Sequence, residues 1–238
     1  MIKTFIRGFD EQLGGGIPEG SVVLLAGPPG SMKSTIGFSI LYHNQDAQRS
    51  DPTGGKVKGL YVTLEQGRRS LLHHFSGIGM ADDTVLEGVR IMDVSESRKN
   101  LKKTHGPMWF QEFKESIEGK VRNKGYNLLV LDSLDVLDVV AHFDDRRTNL
   151  FQFFEWLRDL EITALLISEK IPDFERMVEG YEEGFLADGI IMLGMERSSQ
   201  LEVHRLIRCV KMRSANHKTN YFSLMFEDGS PMIAKSFT

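Results

Sequence analysis

Gly27-Pro28-Pro29-Gly30-Ser31-Met32-Lys33-Ser34-Thr35 follows the apolar run Val22–Ala26 and opens a stretch that reads as helix. Strand, glycine-rich turn, then a helix starting Lys-Ser-Thr is the order of a phosphate-binding loop, G-x-x-x-x-G-K-[ST]. One position departs, because Met32 stands where the second glycine belongs. The loop amides and the positive end of the following helix face an anion together. Lys33 is expected to reach the β- and γ-phosphates, and the Ser34 hydroxyl to take one position on Mg²⁺. Methionine can still supply its amide, although a positive φ there would cost about 1–2 kcal/mol. The motif predicts an ATP or GTP site.

Other runs with strand character are Leu60–Leu64, Val89–Met92, Leu128–Leu131, Ala164–Ile167 and Ile190–Leu193. Most lack strict alternation, as expected of strands covered on both faces of a parallel sheet. Trp109, Phe110, Phe113, Ile117 and Val121 recur at spacings of three to four, and so do Leu150, Phe151, Phe154 and Leu157. Both sets predict amphipathic crossover helices with their aromatic residues on the sheet. The alternating stretch 201–209 and Tyr221–Phe226, with the polar turn Asn216–Asn220 between, predict an antiparallel hairpin. Segments 46–59, 94–106 and 172–184 read as loops. The expected fold is α/β, a twisted and mostly parallel sheet flanked by helices with a C-terminal antiparallel hairpin. One domain over residues 1–238 is expected.

Composition narrows the function classes. Hydrophobic residues at 41% and charged residues at 26% are ordinary for a globular protein. A net charge of −4 and a pI near 6.0 oppose a main affinity for the nucleic-acid backbone. The single cysteine, Cys209, fits a reducing cytoplasmic setting, and no apolar run approaches a bilayer span.

Two carboxylates end strands. Asp132 closes Leu128–Leu131 in the form of a Walker B strand and is a candidate Mg²⁺ ligand. Glu65 closes Tyr61-Val62-Thr63-Leu64 and is a candidate general base for the water that attacks the γ-phosphate.

The opening block Gly8-Phe9-Asp10 and Leu13-Gly14-Gly15-Gly16-Ile17-Pro18-Glu19-Gly20, with the phosphate loop, resembles the KaiC-like branch of the RecA superfamily of ATPases. Tyr61–Glu65, Asp132-Ser133 and Lys211-Met212-Arg213 extend the resemblance over nearly the whole chain, although residues 67–127 carry little motif information. The resemblance implies ATP rather than GTP, and a homo-oligomeric, hexameric ring with nucleotides between subunits. It matches Lys211 and Arg213 to cations that project into the neighbouring subunit's site, and Ser168, after the strand Ala164–Ile167, to a γ-phosphate contact. The family's second glutamate is here Gln66, which implies slow turnover. Gly184-Phe185 occupies the place of the Ser-Thr pair on which some members phosphorylate themselves, so autokinase activity is not expected.

Three functions compete: an oligomeric regulatory or signalling ATPase with an unidentified protein partner, an ATP-gated binding module with little hydrolysis, and a DNA-repair or recombination accessory. Met32 and Gln66 motivate the second. The third would need cationic loops at 139–148 or 172–184, but the latter carries Asp173, Glu175, Glu179, Glu182 and Glu183 against Arg176. His73 and His74 lack partners at metal-binding spacing, and the turn residues His217 and Lys218 are not assigned to the site. Arg146 and Arg147, preceded by Asp144 and Asp145, read as a solvated mixed-charge loop.

Overall fold

Val22–Ala26 forms strand β1, and all five of its residues are buried. Val23 and Leu25 point into one apolar core while Val22 and Leu24 point into another, so a continuous apolar run serves both faces. The computed structural model of the chain describes residues 1–50, 56–94, 106–170, 182–197, 199 and 202–235. Within them β2 (Gly59–Thr63), β3 (Val89–Asp93), β4 (Leu128–Asp132), β5 (Thr163–Ser168) and β6 (Gly189–Arg197) join β1 in parallel. Antiparallel strands β7 (Val203–Met212), β8 (Phe222–Glu227) and β9 (Ser230–Lys235) extend the sheet, in the order β3-β2-β4-β5-β1-β6-β7-β8-β9.

Helices α1 (Lys33–Ser50), α2 (Arg68–Gly77) and α3 (Asp83–Leu86) lie on one face with the N-terminal block. There Phe9, Leu13 and Ile17 of that block are fully buried, and the Asp10 carboxylate accepts hydrogen bonds from the Thr4 amide and hydroxyl at 2.8 and 2.9 Å. Helices α4 (Pro107–Lys124), α5 (Leu134–Ala141) and α6 (Arg146–Asp159) cover the other face, and the short α7 (Glu182–Leu186) leads into β6.

Several expectations need correction. Residues 46–50 are the last turns of α1 rather than loop. In α6 Phe151 is 51% exposed and Phe153 is buried, because the stripe 150, 153, 154, 157 follows the helical repeat while 151 sits about 100° off it. The segment 139–148 is not a loop, since only 142–145 separate α5 from α6. The expected hairpin exists, yet β7 pairs with β8 at only Leu206↔Ser223 and Ile207↔Phe222, its main partner being β6. Strand β9 was not anticipated. The expected loops at 95–105 and 172–181 lie outside the described residues, as do Asp173, Glu175, Arg176 and Glu179.

The antiparallel extension curls back over α1. Its β8–β9 turn reaches the end of α2, where Gly79 and Gly229 meet, and the Gly229 carbonyl also lies 3.0 Å from His43 Nε2. Gly79 has φ +95°, and a Cβ on it would come within 2.8 Å of the Gly229 nitrogen. Gly79→Ala should therefore lower stability by about 2 kcal/mol or more and the melting temperature by several degrees. Gly77→Ala, at the last helical position with open space around it, should be neutral or stabilising by up to about 1 kcal/mol. Thermal melts of the two variants check the contrast.

Candidate active site

The carboxyl ends of β1, β2, β4 and β5 converge on a cleft of about 610 Å³. Pro29, Gly30 and Met32–Thr35 form its floor, Glu65, Gln66, Asp132 and Ser133 one wall, and Ile167 and Glu169 another. The remaining wall is largely apolar: Leu71, His74, Phe75 and Ile78, together with Phe226 from β8. The phosphate loop is pinned at its start, where the Gly27 amide donates to the Ser168 carbonyl at 3.1 Å. A Cβ on Gly27 would sit 2.4 Å from the Leu193 carbonyl oxygen, so only glycine lets the chain leave β1 between β5 and β6. The Ser31 hydroxyl and Lys33 Nζ both donate to the Pro28 carbonyl, at 2.7 and 3.0 Å, which folds the loop on itself.

Met32 adopts φ 73°, the left-handed conformation that glycine would take there without strain. Its half-buried side chain packs against the core shared by α1 and α2. The strain expected from the sequence is thus present, and apolar contact offsets part of it.

Lys33 is 8% exposed, and burial lowers its pKa against the opposing pull of Glu169, Asp132, Asp135 and Glu65. Asp132 is 6% exposed, and burial raises its pKa, while hydrogen bonds from Tyr61 and Ser34 work the other way. A buried carboxylate beside a serine hydroxyl supplies hard oxygen donors. Among the described residues there is no cluster of three or more His, Cys, Asp or Glu side chains suited to a metal. Two donors with room for phosphate oxygens fit Mg²⁺, which keeps water and substrate ligands, better than a metal that needs an all-protein cage.

Glu65 is exposed at the cleft, and its Oε1 accepts a hydrogen bond from the Ser133 hydroxyl at 2.6 Å. Ser133 in turn caps α5, accepting from the Val136 amide, so the candidate base is tied to a helix start. Gln66 is exposed, and its turn is shaped by Thr63, whose hydroxyl donates to the Gln66 carbonyl at 2.7 Å. Ser168 is buried between cleft residues Ile167 and Glu169, with its hydroxyl accepting from the Lys170 amide at 3.2 Å. The candidate γ-phosphate contact therefore faces its own backbone.

Lys211 and Arg213 lie at the amino end of the parallel strands, because Gly189 pairs with Met212 and the Arg213 amide donates to the Asp188 carbonyl. Five residues of β1, about 17 Å, separate that end from the phosphate loop. Neither cation can serve the cleft of its own chain. Lys211 Nζ donates to the Gly184, Phe185 and Ala187 carbonyls at the end of α7, and burial lowers its pKa. Arg213 pairs with Asp188 at 3.2 Å. Burial pushes the Asp188 carboxyl up, but the Val22 amide, Arg158 and Arg213 hold it below the usual carboxylate range. Phe185 is 80% exposed beside this pair of cations.

Sequence reasoning missed several wall residues. Arg205 Nε donates to the Gly30 carbonyl at 3.3 Å from β7, a contact no local pattern signals. His74 reaches the cleft wall, and Tyr61 contacts the candidate metal ligand Asp132. Arg146 does not sit in a solvated loop: it is half-buried, paired with Asp138 at 2.6 Å and with the fully buried Glu183 at 3.0 Å. His217 and Lys218 pack near the N-terminal block, where the Lys218 amide donates to the Gln12 carbonyl.

The family model described as "ATPase: KaiC" matches residues 2–233. A UPF0273 protein of Sulfurisphaera tokodaii is 28% identical over 223 residues, covering 90% of this chain and 75% of that protein. The circadian clock oscillator protein KaiC of Picosynechococcus is 24% identical over 96% of this chain, which spans only 43% of that protein's length. The crystal structure of a KaiC-like protein from Pyrococcus horikoshii superposes with a TM-score of 0.78 at 23% identity, over 98% of both chains, a likeness of fold. No described helix is long and apolar enough to cross a membrane.

Burial of the Asp132 charge has a consequence for stability. A carboxyl whose folded pKa lies above its unfolded one binds more protons when folded, so its contribution falls as pH rises through the interval between the two values. At neutral pH without nucleotide or metal, Asp132→Asn should raise the melting temperature, and thermal shift without and with Mg²⁺ and an ATP analogue should show the analogue's protection diminished.

Proposed function

Because the chain belongs to the KaiC family of ATPases, we propose that it is a Mg²⁺-dependent ATP hydrolase working as a homo-oligomeric ring, of six subunits by family resemblance. Residues 1–238 act as one ATPase domain in a regulatory or signalling role, with a protein partner yet to be identified and in the cytoplasm. One observation carries the reading: Lys33, Ser34, Asp132 and Glu65 meet in a single cleft whose other half is apolar. The polar half suits a triphosphate and the Leu71, Phe75, Ile78 and Phe226 half suits the flat face of a base.

In this reading the loop amides and Lys33 grip the β- and γ-phosphates, and Ser34 and Asp132 hold the metal. Bound Mg²⁺ would neutralise charge on the phosphates. Glu65, oriented by Ser133, takes the proton of the attacking water. Lys211 and Arg213 of the adjacent subunit stabilise charge on the transferring phosphoryl group, exchanging their own-chain partners to do so. The acidic balance of the whole chain supports nucleotide rather than nucleic acid as the ligand. The strained Met32 favours a second reading, an ATP-gated binding module with little turnover.

Light scattering with and without ATP·Mg²⁺ tests assembly, and Arg213→Ala should lose any nucleotide-dependent ring. Glu65→Gln should lower kcat by about a hundredfold or more while nucleotide affinity stays within a few-fold. An unchanged rate in that variant would transfer the chain to the binding-module reading. Mixing Glu65→Gln with Arg213→Ala subunits should restore part of wild-type turnover, up to about a quarter, because at most that share of randomly paired head-to-tail interfaces keeps both groups. No recovery on mixing would place both groups' effects within one subunit.

A further inference from the structure

Tyr61 is a fully buried tyrosine in the middle of β2, and its hydroxyl donates to Asp132 Oδ2 at 2.5 Å. The Ser34 hydroxyl lies beside both the Tyr61 hydroxyl and the Asp132 carboxylate and works to lower the pKa of each. Three groups from β2, β4 and the first turn of α1 therefore share one small polar cluster. The Tyr61 ring is fixed edge-on against Phe38, at 5.7 Å and 68°, and against Phe75, at 6.1 Å and 72°. Those two phenylalanines stack on each other at 3.9 Å, so the hydroxyl has little freedom to turn elsewhere.

A buried tyrosine needs a partner for its O–H, and a carbonyl would serve that need alone. Here the partner is a carboxylate whose charge is costly to bury. A serine ligates a cation through an oxygen lone pair with its own proton directed away from the ion. Asp132 is an acceptor within reach of Ser34, and its carboxylate must be correctly turned to accept. A second donor, on Oδ2, sets the plane of the carboxylate and leaves the other oxygen for the metal side.

We infer that the Tyr61 hydroxyl is a positioning group for magnesium, holding Asp132 and Ser34 together in the arrangement that receives the ion. The inference rests on the reading of the cleft as a Mg²⁺-nucleotide site. It does not make Tyr61 a catalytic residue, because its hydroxyl acts through the two ligands. Neither the phosphate-loop pattern nor the strand-end aspartate requires a tyrosine at this place, so the feature belongs to this chain's own packing.

The test compares wild type with Tyr61→Phe, whose ring fills the same space between Phe38 and Phe75, in calorimetric titrations with a non-hydrolysable ATP analogue across a series of Mg²⁺ concentrations and in EDTA. The Mg²⁺ concentration that gives half of the affinity gain should rise about tenfold in the variant, the scale of losing one charge-assisted hydrogen bond. Affinity in EDTA should be unchanged. Superimposable Mg²⁺ dependences, or an affinity loss equal with and without the metal, would overturn the positioning role while leaving the nucleotide site standing. Wild-type binding indifferent to Mg²⁺ would overturn both the metal reading of the cleft and the inference that depends on it.

Discussion

The covering of β1 on both faces is the constraint from which the rest follows. A strand buried on both sides cannot lead into an exposed turn gradually. Its chain must leave between the ends of β5 and β6, and the space there admits no side chain at Gly27. That exit fixes where the loop amides point and where α1 begins, so Lys33 and Ser34 inherit their positions from packing rather than from any contact with a ligand. Parallel pairing of β1, β2, β4 and β5 then brings Glu65, Asp132 and Ser168 to the same edge.

Electrostatics divides the molecule by height along the strands. The carboxyl end gathers acids around one buried lysine, and burial raises the pKa of Asp132 against the hydrogen bonds of Tyr61 and Ser34 and the charge of Lys33. At the amino end, cations satisfy backbone carbonyls: Lys211 and Arg158 together engage those of residues 184–187. Arg158 and Arg213 also share Asp188, which accepts from the first amide of β1. The opposite characters of the two ends are what a head-to-tail arrangement of copies would bring into register.

Much of this was legible in the chain because local patterns carry it. The six parallel strands lie at the strand-like runs of the sequence, five of them through apolar stretches that burial on both faces requires, while the edge strand β3 is interrupted by the exposed Arg90. Asp132 and Glu65 were legible as strand-end acids. What local pattern could not show were contacts made by curvature: Arg205 over Gly30, Phe226 closing the apolar wall, and Tyr61 against Asp132 come from elements distant in sequence. The burial of Arg146 was missed for a related reason. Its partner Glu183 arrives from α7, and a lone arginine beside aspartates looks solvated until that acid is in place. Phe151 illustrates the limit of reading a stripe, because an adjacent aromatic residue can belong to the wrong side of a helix.

The meeting of Gly79 with Gly229 fastens the far margin of the sheet to the helix that follows Glu65. It works as a clasp: the β8–β9 ribbon, α2 and the apolar lip of the cleft form one closed loop of contacts around α1. Bending the ribbon would drag α2 along with it. A load applied to that outer margin is thereby transmitted to the helix that follows Glu65, without passing through the phosphate loop.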